Sequence, residues 1–383
     1  MKHHNPFFQL LRLAKVNSSH EPVNRKGLLP WIGKFLITEP FRQYERITTD
    51  RKVLETTLQK DPIFVLGHWR SGTSFLQYLL GQDPQFGYLS KFQAIFPELF
   101  LTAEHLFKPL VKKISKSLST RDQVKDISVN WNWDSPSELD IAITAICSPA
   151  SPHWGHTFPN NHTYYFRKYL FLKEASQKDR QQWKEVYNYL IKKLAVHYNN
   201  KQILIKSPGN TARVRYLLEM YPNAKFVYIH RNPYEVYYSN VKLWNVLLDN
   251  LSFQDFDRSQ LESIILDNYT NLLQSYLTDR DLIPEGNLTE LRLEDLTEQP
   301  IDELSKIYDN LGLDGFYKMR PKVEAFLSQQ TKGSGSDYAI TDEMKKTIDK
   351  NWKFSFNEWP YHTDDNKKAD ATTDSKIKQA VSA

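Results

Sequence analysis

PIFVLGHWRSGTSFLQYLLGQDP, residues Pro62 to Pro84, reads as a strand, a turn and a helix. Ile63 to Leu66 is an unbroken apolar run that stops at Gly67, and apolar residues then recur at helical spacing through Phe75, Leu76, Leu79 and Leu80. The turn runs straight into the helix N-terminus, where the first amides lack intrahelical acceptors and the dipole is positive. Such an end accepts an anion. The spacing is Gly67, four residues, Gly72, then Thr73 and Ser74. A nucleotide-hydrolysing loop, GxxxxGK[ST], has lysine where this chain has Thr73, and the basic residue here is Arg70, inside the loop. The stretch predicts an anion site not built for Mg²⁺-assisted transfer of a γ-phosphoryl group. On its own it also fits a Gly/Ser turn that only caps a buried βα unit.

Two later stretches repeat the pattern. QILIKSPGNTARVRYLLEMYP (from Gln202) and AKFVYIHRNPYEVYYSNVKLW (from Ala224) are each a strand, a turn and a helix, with Lys206 and Arg231 where the turns begin. A further short strand is expected at LTELRLEDL, followed by a helix to Leu311 and a stop at Gly312. Strands alternating with helices predict right-handed crossovers and a parallel sheet, with ligands beyond the strands' carboxyl ends. Residues up to about 60 read as helical with breaks at Pro22, Pro30 and Pro40, and WKEVYNYLIKKLAVHY as an amphipathic helix. In VNWNWDSPSELDIAITAI a loop leads into a helix that Ser135 or Ser137 would cap, with Glu138 and Asp140 in its first turn. FGYLSKFQAIFPELFL is an aromatic-rich stretch, and HLFKPLVKKISKSL a basic helix.

The 383 residues suffice for one large α/β domain with additions, or for two domains. The apolar fraction of 40% and charged fraction of 25% are those of an ordinary globular protein. A net charge of +5, without a long basic run, suits anionic substrates or membrane surfaces and does not call for nucleic acid. Cys147 is the one cysteine, which excludes an internal disulfide and fits a cytoplasmic, reducing setting. FFQLLRLA and LLPWIGKFLI mix aromatic, leucine and basic residues as interfacial anchors do, although packing onto the domain as peripheral helices is the preferred reading.

GHWRSGTS and IKSPGNTARVRYLLEMYPNAKFVYIHRNPYEVYYSN together resemble the paired nucleotide motifs of sulfotransferases that use 3′-phosphoadenosine 5′-phosphosulfate, in the bacterial-type branch. The resemblance extends to FGYLSKFQAIFP, DSPSELD and LEDL, so it covers about 60 to 345. It implies a P-loop NTPase-like α/β fold, a parallel sheet flanked by helices, with helical insertions on the acceptor side. Residues 1–60 are expected as an N-terminal helical extension packed on the core, 61–360 as the sulfotransferase domain the resemblance implies, and 361–383, with little to bury, as a disordered tail. The donor would be 3′-phosphoadenosine 5′-phosphosulfate, no metal would be required, and the acceptor would be a small molecule, lipid or glycan bearing a hydroxyl, with an amine as second choice. Peripheral contact with a membrane is compatible with this.

The resemblance also assigns roles. Ser71, Gly72, Thr73 and Ser74 would offer amides and hydroxyls to the 5′-phosphosulfate, and Arg70 would neutralise the transferring group. Arg231 and Ser239 would hold the 3′-phosphate, with a weaker match for Lys332 in the KGSGS turn. Lys206 would stabilise the departing bisphosphate, and Glu138 would take the acceptor proton. Asp140 stands where the family has glutamate, and Gln93, in place of a glutamate found in some relatives, cannot be a base. His68 is left without a role. His153, His156 and His162 match no zinc spacing and read as surface or acceptor-pocket residues. Trp131, Trp133, Trp154, Tyr164 and Tyr165 would stack on a flat acceptor or pack lid loops. A P-loop kinase and a non-catalytic anion-binding module at a membrane surface are the alternatives.

Overall fold

The computed structural model describes residues 5–18, 21–118, 132–329 and 341–361. Two helices, α1 (Pro6–Asn17) and α2 (Arg25–Glu55), precede β1 (Ile63–Leu66), which α3 (Thr73–Leu80) follows. After β2 (Phe86–Tyr88) come α4 (Lys91–Ile95), α5 (Glu104–Leu118), α6 (Leu139–Ala145) and two single-turn helices, α7 (Trp154–Thr157) and α8 (His162–Tyr165). The long α9 (Gln177–His197) returns to the sheet at β3 (Gln202–Lys206), and α10 (Val214–Met220) leads to β4 (Lys225–His230). The chain continues as α11 (Pro233–Leu251), α12 (Leu261–Asp279), β5 (Leu288–Arg292), α13 (Leu293–Glu298), α14 (Pro300–Asn310), α15 (Phe316–Ser328) and α16 (Asp342–Glu358).

The sheet order is β2-β3-β1-β4-β5, and every pairing is parallel. All four residues of β1 and all five of β3 are buried, as expected of strands covered on both faces. Their period-two alternation divides the core into two layers. Phe64, Leu66, Ile203, Ile205, Phe226 and Tyr228 join the larger cluster. Ile63, Val65, Leu204, Val227 and Ile229 face the other way, against α3, α14 and α15. The chain runs from β1 outward to β2, back to β3, and then across β1 to β4. That crossing puts the tips of β3 and β4 on either side of the loop after β1, at the switch point where such sheets bind ligands.

Three local expectations need correction. Pro30 and Pro40 do not break the chain's first long helix, because α2 runs through both. Each proline removes the bond to the carbonyl four residues earlier, at Lys26 and Leu36, and both residues are exposed, so the lost bonds fall on the solvent side of the helix. The cap of α6 is Glu138, not Ser135 or Ser137, and it makes no side-chain cap bond. The Ser137 amide donates to the Leu89 carbonyl at 2.8 Å and Glu138 forms a parallel bridge with Lys206, which keeps the chain extended up to 138. The aromatic-rich stretch contains β2, a three-residue edge strand that the sequence reading did not separate.

Candidate active site

The loop after β1 is shaped by its backbone. Gly67 has φ 140° and Gly72 φ 99°, both in the region glycine enters without strain. A Cβ on Gly67 would sit 2.7 Å from Ser71 Oγ. The Gly67 amide donates to the Thr211 hydroxyl at 2.8 Å, and that hydroxyl donates back to the Gly67 carbonyl at 3.1 Å, which pins the loop to the turn after β3. Gly72 caps α3 with no side-chain bond, leaving the leading amides of the helix open to an anion. The hydroxyls do not all serve the same end. Ser71 is buried and its hydroxyl donates inward to the His68 carbonyl at 2.8 Å, with the Ile229 carbonyl at 3.1 Å as alternative acceptor. Thr73 is buried and Ser74 exposed, so the loop offers its amides more than its hydroxyls.

Arg70, Arg231 and Ser239 meet on the β4 side. Arg70 has φ 72°, a left-handed conformation that costs a non-glycine residue about 1 kcal/mol or more. The Arg231 guanidinium donates to the Arg70 carbonyl at 3.2 Å, which helps hold that conformation. Arg70 Nε donates to the Ser239 hydroxyl at 2.6 Å, and Arg231 Nε to Glu235 at 2.6 Å, one turn along α11. The sequence reading put Arg70 at one end of the ligand and Ser239 at the other; here they touch.

Lys206 and Glu138 meet on the β3 side. Lys206 Nζ donates to Glu138 Oε1 at 2.7 Å, and His153 Nε2 lies 3.8 Å from Glu138 Oε2. The lysine is almost fully buried while the carboxylate keeps 16% of its side-chain surface, enough for a reactant to approach. Lys91 stands nearby: burial, and then the Lys206 charge, push its ammonium down to about 8. Asp140, two residues beyond Glu138, belongs elsewhere, in a buried pair with Arg213, whose Nη1 donates to both carboxylate oxygens, at 3.1 and 3.0 Å. Gln93 closes a capping box with Ser90 and donates to Glu104 at 3.2 Å, a packing role.

His153 and Lys91 are the two neighbours of this pair that the sequence reading did not single out for it. Lys91 follows β2, so a strand recognised at Phe86–Tyr88 would have flagged it as a cation near a strand's carboxyl end, beside β3. His153 had no such signal, because its approach to Glu138 depends on the fold of an aperiodic segment. Trp154 is fully buried with its indole N–H on the Ser148 carbonyl at 2.7 Å, and Tyr165 is buried against Asn17, so both pack. Lys332 and Trp131 lie outside the described residues.

Beside the loop, His68, Trp69, His156, Phe166, Trp244 and Asn268 line a cavity of about 10 Å³, the space of one water. His68 Nε2, His156 Nδ1 and Asn268 Nδ2 are buried there without a protein partner among the described residues. Burial pushes His68 down to about 4 and His156 well below its ordinary value, so both imidazoles are neutral hydrogen-bonding groups at physiological pH. Trp69 and Phe166 stack at 6.3 Å and Trp244 lies 4.8 Å from His156, giving the crevice aromatic walls.

The strand order and the glycine-framed loop after β1 define a P-loop NTPase-like α/β protein, with cations at the neighbouring strand tips. The sequence profile of the Sulfotransferase family matches residues 62–317, and the chain belongs to that family: it is a transferase, a sulfotransferase. It is 28% identical over 309 residues to the omega-hydroxy-beta-dihydromenaquinone-9 sulfotransferase Stf3 of Mycobacterium bovis and, equally, of Mycobacterium tuberculosis, across 81% of this chain and 77% of theirs. The fold is similar to that of sulfotransferase STF9 from Mycobacterium avium, with a TM-score of 0.72, 17% identity, and coverage of 94% of this chain and 92% of that one. Sulfotransferase STF1 from Mycobacterium tuberculosis H37Rv gives a TM-score of 0.67 at 18% identity, covering 91% and 92%.

Proposed function

We propose that the chain transfers the sulfuryl group of 3′-phosphoadenosine 5′-phosphosulfate to the hydroxyl of an apolar, lipid-like acceptor, in the cytoplasm and in peripheral contact with a membrane. The observation that carries this reading is the Lys206–Glu138 contact at 2.7 Å, a cation and a carboxylate at the sheet edge beside the open amides of α3. The acceptor class is supported by the name of the mycobacterial relative, which gives a hydroxylated menaquinone derivative as its substrate. We assign residues 1–60 to an N-terminal extension and 61–360 to the transferase domain.

In this reading the Gly72, Thr73 and Ser74 amides receive the 5′ end of the donor, and Arg231, Arg70 and Ser239 receive the 3′-phosphate, with fork-shaped guanidinium donors suited to its oxygens. Glu138 accepts the hydroxyl proton as the acceptor oxygen bonds to sulfur and the bond from sulfur to the 5′-phosphate oxygen breaks. Lys206 then faces the charge gathering on that phosphate oxygen. Alignment and charge stabilisation suffice for such in-line transfers, as in phosphoryl transfer. Calorimetry with adenosine 3′,5′-bisphosphate, its 2′,5′ isomer and Mg-ATP tests the donor site. Binding of the first at least tenfold tighter than the others is expected, and a preference for Mg-ATP would overturn the assignment.

Lys91 gives this site a pH dependence. Below about 8 its ammonium is charged and adds to the field of Lys206; above that it is neutral. Because an anion favours the charged form, affinity for adenosine 3′,5′-bisphosphate should fall as pH rises past 8, by up to about tenfold per unit. Lys91→Met should flatten that slope, and an unchanged slope in the variant would remove Lys91 from the site. For stability the sign is opposite. The unfolded chain holds this proton more tightly than the folded one, so the lysine's burial cost is relieved as pH rises from about 8 towards its ordinary 10.5.

A further inference from the structure

Helix α2 has two unlike faces. Leu28, Phe35, Thr38, Arg42, Glu45 and Val53 are buried against the body of the protein, with Glu45 paired to Lys193 of α9. On the other side Leu29, Leu36, Ile37, Tyr44, Ile47 and Leu54 are 51% to 80% exposed. Their spacing keeps them within a quarter to a third of the helix circumference, so they form a stripe about 38 Å long. Helix α5 extends it: Leu106, Leu110 and Ile114 recur every fourth residue and are exposed, and an edge-to-face contact of Phe107 with Phe41 at 4.8 Å joins the two helices. Scattered exposed leucines need no explanation, but an apolar stripe of this length on a globular protein marks an interaction surface.

The charges around the stripe name the partner. Lys26 stands at one end, Arg51 and Lys52 at the other, and Lys113 beside it on α5, all exposed. Among the exposed, described residues of α2 the one carboxylate is Glu55, already paired with Arg51 at 2.9 Å. We propose that the outward face of α2, continued by α5, docks on an anionic lipid bilayer, with the apolar stripe at the acyl boundary and the cations among the headgroups. A second copy of this chain fits less well, because pairing the stripe with itself in either direction brings cationic ends together.

The surface is wired to the site. Lys108 and Lys112 of α5 both bind Asp134, the latter at 2.5 Å, and the Trp133 indole donates to the Ser115 hydroxyl at 3.0 Å. The segment they hold runs directly into Glu138, so a docked α5 brings the loop bearing the carboxylate close to the bilayer. This deepens the lipid-acceptor reading, yet docking itself requires neither donor nor acceptor, and the two stand or fall separately.

The test is flotation of the full-length chain with phosphatidylcholine vesicles, alone or with a third of phosphatidylglycerol, at low and high salt. Partitioning into anionic vesicles at least tenfold above neutral ones, reduced by salt, is expected. The double variant L36E/I47E should lose at least tenfold of that partitioning while keeping its Tm and its affinity for adenosine 3′,5′-bisphosphate. No partitioning, equal partitioning into neutral vesicles, or partitioning untouched by the double variant would overturn the proposal. So would a dimer in light scattering that the same variant dissolves, since the stripe would then join two copies.

Discussion

Replacing Glu138 with glutamine is expected to lower turnover by about 10²- to 10⁴-fold, the range for loss of a positioned general base, with little change in nucleotide affinity. Glutamine keeps the shape and can still receive a hydrogen bond from Lys206, but it cannot take a proton. Lys206→Ala should cost about 10²- to 10³-fold, as removal of a charge donor at a developing anion does. The two effects should not add. Lys206 is almost entirely buried and spends its ammonium on Glu138, with His153 Nε2 3.8 Å from the other oxygen. When Glu138 accepts the acceptor's proton it stops being a counter-ion, and the lysine's charge becomes available to the departing phosphate oxygen at the step that needs it. A double variant should therefore fall little below the worse single variant, as groups acting in one step do. The measurement is single-turnover transfer of labelled sulfate. An E138Q enzyme that keeps a tenth of the wild-type rate would return Glu138 to the role of a structural partner for Lys206.

The parts of the fold that could be read from the residues are those in which burial and periodicity coincide. β1, β3 and β4 are covered on both faces, so each appears in the sequence as a continuous apolar run ending at a turn. The loop between Gly67 and Gly72 was legible because its chemistry is carried by backbone, which glycine spacing reports directly. What escaped depends on contacts across the chain. A three-residue edge strand has too few positions to show a period, and with β2 went the clue to Lys91. Proline rules speak of helix interiors in general, whereas Pro30 and Pro40 sit on the exposed side of α2. Side-chain direction escaped as well. Arg70 was assigned by its place in the loop, yet a positive φ at that residue carries its guanidinium to Ser239, 169 positions away. The resemblance singles out Glu138 as the base, but as acids at a helix start it and Asp140 carry the same local signal, and the contacts that send one to Lys206 and the other to Arg213 come from across the chain.

That second pair should carry the largest stability effect of any single site. Arg213 is fully buried, as is Asp140 to within 2% of its side-chain surface. Nη1 donates to both carboxylate oxygens, at 3.1 and 3.0 Å, Nε donates to the Leu170 carbonyl at 3.0 Å, Nη2 to the Tyr169 carbonyl at 2.6 Å, and the group lies 5.1 Å from the Trp183 ring. Each guanidinium nitrogen therefore has an acceptor, and removal of one partner leaves the other charge without compensation in a medium that cannot hydrate it. Arg213→Leu and Asp140→Ala are each expected to lower stability by about 3–5 kcal/mol, read as a shift of the denaturant midpoint at constant slope. The double variant, with both charges gone, should recover more than half of that loss, because the cost lies in the orphaned charge more than in the missing bonds. Asp140→Glu should also destabilise, by about 1–3 kcal/mol, since the extra methylene enters a packed site; a Cβ on neighbouring Gly209 would already stand 3.1 Å from Asp140 Oδ2. Activity should follow stability in this series for a structural reason. The Asp140 amide donates to the Ser207 hydroxyl at 3.3 Å; Ser207 follows Lys206 directly and Asp140 lies two residues from Glu138, so loosening the pair lets the carboxylate drift from the lysine. Equal stability in the single and double variants would show that the pair contributes packing alone and that the register of Glu138 is set elsewhere.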